Sequence, residues 1–111
     1  MAIIETNGIR PREIRPGWNG RFVHSTQMTF AYYAVTRGAS IHEHAHLEEE
    51  VWNVVDGEIE ITIGGETGII GPGGVGVVPP NTAHSVRVLR HSRVSVVDHP
   101  VRHIVGGIDT R

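Results

Sequence analysis

The run His42-Glu43-His44-Ala45-His46-Leu47-Glu48-Glu49-Glu50 sets three imidazoles among four carboxylates, and His84 answers it downstream. In an extended strand successive side chains alternate faces, so His42, His44 and His46 project to one side. Packing supplies no reason for three same-face histidines in a strand. Neutral imidazole together with carboxylate is a donor set suited to iron, manganese, nickel, zinc or cobalt. The cluster therefore reads as a site for a divalent transition metal of unspecified identity.

The elements that must carry these residues are short strands. Valine, isoleucine and threonine are frequent, and 14 glycines supply turns. The first twenty residues are irregular, punctuated by Pro11, Pro16, Gly17 and Gly20, with an edge strand possible over 9–14. From Arg21 onward strand signals are nearly continuous: 27–36, 40–46, 49–55, 58–63, 67–70, 75–78, 82–89 and 93–97, with 101–105 weaker. Asp56-Gly57 and Gly64-Gly65 read as hairpin turns, and Gly71-Pro72-Gly73-Gly74 as a further turn. No helical period persists, so the expectation is an all-β barrel or sandwich in one domain, residues 1–111, with its core over 21–105.

Parity gives the barrel an inside. His84, Val86 and Val88 share a face opposite Arg87, and Glu50 shares one with Trp52 and Val54. A carboxylate among apolar neighbours needs a compensating cation. His84 and Glu50 thus point inward from separate strands, as His44 and His46 can from a third. Glu48 and Glu49 read as solvated turn carboxylates, and His24, His91, His99 and His103 as surface or interface residues.

Composition removes several classes of function. There is no cysteine, hence no disulfide, thiolate ligand or cysteine nucleophile. The net charge is −2 with no basic stripe, which argues against nucleic acid. No apolar run approaches membrane-spanning length, and 1–7 lacks the form of a signal peptide, so a soluble cytoplasmic protein is expected.

Gly38, His44, His46, Glu50 and Gly57, followed by Gly73, Pro79 and His84, stand at the spacings of the two cupin motifs, and the chain resembles the cupin superfamily. Asn81 replaces a motif glycine and Val88 a motif asparagine. The resemblance implies a double-stranded β-helix, or jelly-roll barrel, with His44, His46, Glu50 and His84 around one metal and coordination positions left open. The motif register argues against His42 as a first ligand, and its same-face placement allows it to line the mouth, replace a ligand or act as a proton carrier. The runs 21–32 and 77–86 are similar to the small single-domain cupins of pectin degradation, which linearise an unsaturated uronate. Their tail pattern, D-x-F-x-P-x-R, is met by Pro100 and Arg102, but Val96 occupies the aspartate position and Asp98 the phenylalanine position. That aspartate is the family's catalytic carboxylate, so Asp98 would have to serve from a neighbouring position.

The functional expectation is a metal-dependent enzyme on a small polar metabolite such as a sugar acid. It would be isomerase- or lyase-like, or dioxygenase-like, with His42 and Asp98 as proton-transfer groups and Trp52, Tyr32 and Arg102 lining the substrate pocket. The alternative is a cupin that binds metal or sugar without turnover. Exposed sheet edges and the resemblance together imply a homodimer, with the N-terminal segment as a strand donor.

Overall fold

The computed structural model describes residues 1–102 together with 104, 105, 108 and 109. A 3-10 turn (Thr6–Gly8) precedes β1 (Arg12–Arg15), β2 (Trp18–His24), β3 (Thr29–Val35), β4 (Ser40–His44), β5 (Glu49–Ile63), β6 (Glu66–Ile70), β7 (Val75–Val78) and β8 (His84–His99). A small hairpin follows, β9 (Ile104–Val105) and β10 (Ile108–Asp109). All pairings are antiparallel, in the order β1-β2-β3-β8-β5-β6, with β4 added on β8 and β7 on β5. No described helix is long and apolar enough to cross a membrane.

The architecture rests on two long strands that bend together. Glu49–Val54 of β5 pairs with 94–99 of β8, and after a run of bulges 58–63 pairs with 84–90. Each strand therefore serves both layers of the sandwich. One layer runs β1-β2-β3-β8-β5-β7 and the other β4-β8-β5-β6, closing as a jelly roll. The expected hairpin at Asp56-Gly57 is instead this corner, and the two strands on either side of it are one, as are 82–89 and 93–97. Gly57 carries the bend at φ +91°, a conformation that side-chain-bearing residues avoid. A Cβ there would overlap the Ser92 hydroxyl and approach the His91 carbonyl to 2.5 Å. Ser92 is fully buried; it accepts from the Glu58 N–H at 2.9 Å and donates to the Arg90 carbonyl at 2.8 Å, replacing ladder bonds lost at the corner. The turn at Gly64-Gly65 holds, with both residues at positive φ as a type I′ hairpin demands.

Inward alternation fills the middle of the barrel with Val35, Val54, Ile59, Val78, Val88, Val94 and Val96, all at most 3% exposed. Trp18, at 0%, packs edge to face on Tyr33 and Trp52, with ring centroids 5.4 and 5.9 Å away. Val88, where the motif has asparagine, is simply core. Asn81, where it has glycine, takes φ 58°, the left-handed conformation asparagine tolerates. Residues 12–15 of the N-terminal segment form β1, paired with β2.

Candidate metal centre

At one end of the sandwich the two layers present polar side chains to each other. In one layer His44, the last residue of β4, pairs with His84, the first of β8. In the other, Glu50 at the start of β5 pairs with Asp98 at the end of β8. His46 lies in the connection that carries the chain between them. The ring of His84 is centred 4.3 Å from that of His44 and 4.9 Å from that of His46. His44, His46 and His84 each offer one ligand atom, all within 4.8 Å of one another, and His46, Glu50 and Asp98 form a second such group.

The histidine tautomers follow from their partners. Nδ1 of His44 lies 2.9 Å from the His42 carbonyl, that of His46 3.1 Å from the Glu48 carbonyl, and that of His84 2.9 Å from the Thr82 carbonyl. A carbonyl only accepts, so each Nδ1 carries the proton and each neutral ring turns a bare Nε2 lone pair the other way. In His46 and His84 that nitrogen is buried and faces a Glu50 oxygen 3.3 Å away, a gap that a shared proton or a metal ion would bridge. Such groups are costly in water-excluded sites, and a metal ion would satisfy them. Burial lowers the pKa of His44 below its ordinary value, which favours the ligating form. For His84 burial is the largest cause and acts in the same sense, but bonding to Glu50 and to the Thr82 carbonyl together with the Glu50 charge outweighs it and the pKa is raised.

Glu50, at 2% exposure, is the hub. Trp52 donates its indole N–H to Oε1 at 2.6 Å and Arg102 a guanidinium N–H to Oε2 at 3.0 Å. Nε2 of His46 and of His84 each lie 3.3 Å from a Glu50 oxygen. Burial alone would raise its pKa, but bonds to His46, His84 and Asp98 and the charge of Arg102 hold it well below the ordinary carboxylate value. Asp98 is likewise 2% exposed, with Arg102 4.0 Å away.

The expected site residues divide. His44, His46, Glu50 and His84 come together, and His44 and Glu50 line a small cavity of about 40 Å³ with Asp98, Trp52 and Arg102. Tyr32 does not: it faces outward into a groove on the other side of the sheet, while its neighbour Tyr33 lines the cavity. His42 leaves the same-face series because β4 carries a bulge. Ile41 pairs with Val86 and His44 with His84, three steps against two, so Ile41 and His44 both turn inward and His42 is exposed. Its ring centre is 5.8 Å from that of His44.

Three contributors escaped the sequence reading. Glu48 is not a solvated turn residue but 1% exposed, with Oε1 3.3 Å from Nδ1 of His46. Its parity with His46 and Glu50 was the available signal. Tyr33 shares parity with Ala31 and Val35, and burial is the largest cause that keeps its hydroxyl protonated. Thr29, also 1% exposed, opposes Asp98 across the β3–β8 ladder.

Residues 31–100 match the family model for the cupin domain. A protein of Streptomyces coelicolor with no assigned activity is 33% identical over 81 residues, 72% of this chain and 77% of that one. Among solved structures, KdgF from Halomonas sp. is similar at TM-score 0.85 and 23% identity, covering 90% of this chain and 94% of that chain. An RmlC-like cupin from Shewanella frigidimarina reaches TM-score 0.87 at 19% identity over 93% and 94%. At these identities the structural likeness establishes the barrel.

Proposed function

Because this chain belongs to the cupin family, we propose that it holds one divalent transition-metal ion on His44, His46 and His84 with Glu50 as the carboxylate ligand, and acts there on a small polar metabolite such as a sugar acid. The observation that carries this reading is the set of three imidazoles with Nδ1 committed to backbone carbonyls and Nε2 convergent, two of them buried and facing a Glu50 oxygen at 3.3 Å. Charge supports it as well. Glu48, Glu50 and Asp98 are at most 2% exposed, while Arg15 and Arg102 supply the guanidinium groups at the cavity. A divalent cation offsets that buried negative charge.

The ion, when bound, would supply Lewis acidity toward a carbonyl or carboxylate oxygen. The protein's own part is positional and protolytic. Asp98, inside the cavity two residues along β8 from Val96, is the carboxylate suited to take or return a proton. Arg102 and Trp52 form the wall beside it. His42, exposed beside His44, can pass protons to solvent. The resemblance of the runs 21–32 and 77–86 to the cupins of pectin degradation agrees with a sugar-acid substrate. A second reading, metal binding without turnover, is favoured by the size of the cavity. About 40 Å³ holds a few waters, at about 10–15 Å³ each, rather than a sugar.

Elemental analysis of purified protein tests the premise: one divalent transition ion per chain is expected. His84→Ala and Glu50→Ala should lose metal and thermal stability together, because binding stabilises the folded form by mass action. An unchanged metal-to-protein ratio in either variant defeats the assignment. Product formation from sugar acids, or from aromatic diols with oxygen, separates an enzyme from a binder.

The reading includes a homodimer. On the outer face Val77, Val51, Val97, Phe30 and Val23 are successive cross-strand partners over five strands, an apolar row where solvent should favour polar residues. Val75 and Val77 are 56% and 52% exposed. Sedimentation of wild type against Val51→Glu is the check; a monomeric wild type would dispose of the dimer.

A further inference from the structure

We propose that Arg102 is a built-in cation that competes with the metal for Glu50, and that Thr29 is the positioning residue that holds it there. The inference rests on the metal reading above and adds a control on affinity.

Arg102 approaches Glu50 Oε2 to 3.0 Å and Asp98 to 4.0 Å, with its side chain 14% exposed. It comes from the segment after β8, and a buried hydroxyl ties down its main chain. Thr29 Oγ1 accepts from the Arg102 N–H at 2.9 Å and donates to the Arg102 carbonyl at 3.0 Å, across 73 residues of sequence. Nδ1 of His24 lies 2.9 Å from the same oxygen. The hydroxyl's single proton is committed to the carbonyl, so His24 must be the donor. Thr29 thereby spends one donor and two acceptor valences, two of the three on fixing Arg102. So saturated a buried threonine leaves the segment little freedom to carry the guanidinium elsewhere.

The consequence is electrostatic. With Trp52 on Oε1 and Arg102 on Oε2, both oxygens of Glu50 are engaged. An ion that ligates Glu50 must share Oε1 with the indole, share Oε2 with the guanidinium or displace it, and while the guanidinium stays on the carboxylate the two cations repel at close range. Arg102 should therefore stabilise the metal-free protein and weaken metal binding.

The test uses full-length protein stripped with a chelator, titrated calorimetrically with Mn(II), and unfolded in urea without metal. Arg102→Gln should bind Mn(II) on the order of ten-fold or more tighter than wild type while its metal-free form unfolds at lower urea. Thr29→Val should shift both readouts the same way by less, and Thr29→Ser, which keeps the hydroxyl, should restore wild-type behaviour. A merely structural threonine would lower stability without tightening metal binding. Equal or weaker Mn(II) affinity in Arg102→Gln overturns the proposal and leaves the metal centre standing. Wild type that binds none of Mn(II), Fe(II), Co(II), Ni(II) and Zn(II) overturns both. If Arg102→Gln does not fold, Thr29→Val decides: unchanged affinity sinks the proposal.

Discussion

Around Trp18 the barrel interior is closed by Tyr33 and Trp52 rings packed edge to face and by valines from four strands. Around Glu50 the same interior is filled by His84, Glu48, Asp98 and Thr29, none more than 2% exposed. Both regions are built on β5 and β8, with the same alternation and the same ladder. Apart from Ser92 at the corner, every fully buried polar residue described lies in the second region. Apolar packing tolerates approximate complementarity, since it is non-directional and roughly proportional to area. A buried carboxylate does not: unless its partners are in place it costs several kcal/mol. One region therefore carries the fold's stability, and the other holds charge that the fold must compensate, as functional sites commonly do.

The largest expected effect breaks the apolar region. Trp18→Ala should cost about 3–5 kcal/mol in urea unfolding, as large-to-small core substitutions do. Metal per folded chain should not change; a parallel loss of metal would mean the two regions are not separable. Trp52 borders both, packing on Trp18 and donating to Glu50. Trp52→Phe keeps an aromatic ring and removes that bond, at a cost of about 1.5–3 kcal/mol for a bond to a charged group. A cost under about 0.5 kcal/mol would show that Glu50 does not depend on it.

Acid sharpens the contrast. Glu50 has a depressed folded-state pKa, so its stabilisation is present above its ordinary value of 4.5 and is lost as pH falls below it. His84 has a raised one, so its contribution is present below the ordinary 6.5 and is lost as pH rises through the raised value. His44, whose pKa is lowered, opposes part of that gain. Metal-free protein should lose stability between pH 5 and 3, and Glu50→Gln should flatten that limb; an unchanged limb would assign it to other carboxylates. Smallest of all, His42→Ala should leave stability within about 0.5 kcal/mol and keep the metal, because the bulge in β4 sets His42 outside the cavity. Loss of metal in that variant would promote His42 to a ligand.

Period-two alternation is a local property, and whatever depended on it was legible without coordinates. That covers the all-β class, the inward set Trp52, Val54, Val86 and Val88, and the convergence of His44, His46, Glu50 and His84, which the motif spacing also supports. What alternation could not supply is where it breaks or what stands opposite. The bulge that turns His42 away and the corner at Gly57 that makes one strand of two depend on cross-strand register. Burial of Glu48 depends on how the 45–48 connection closes over the site. Tyr32 and Tyr33 alternate visibly, yet which of them faces in is decided by the sheet packed behind them. The bond from Thr29 to Arg102 spans 73 residues. Only folding brings such groups within reach, because loop closure, not local preference, sets which distant side chains meet.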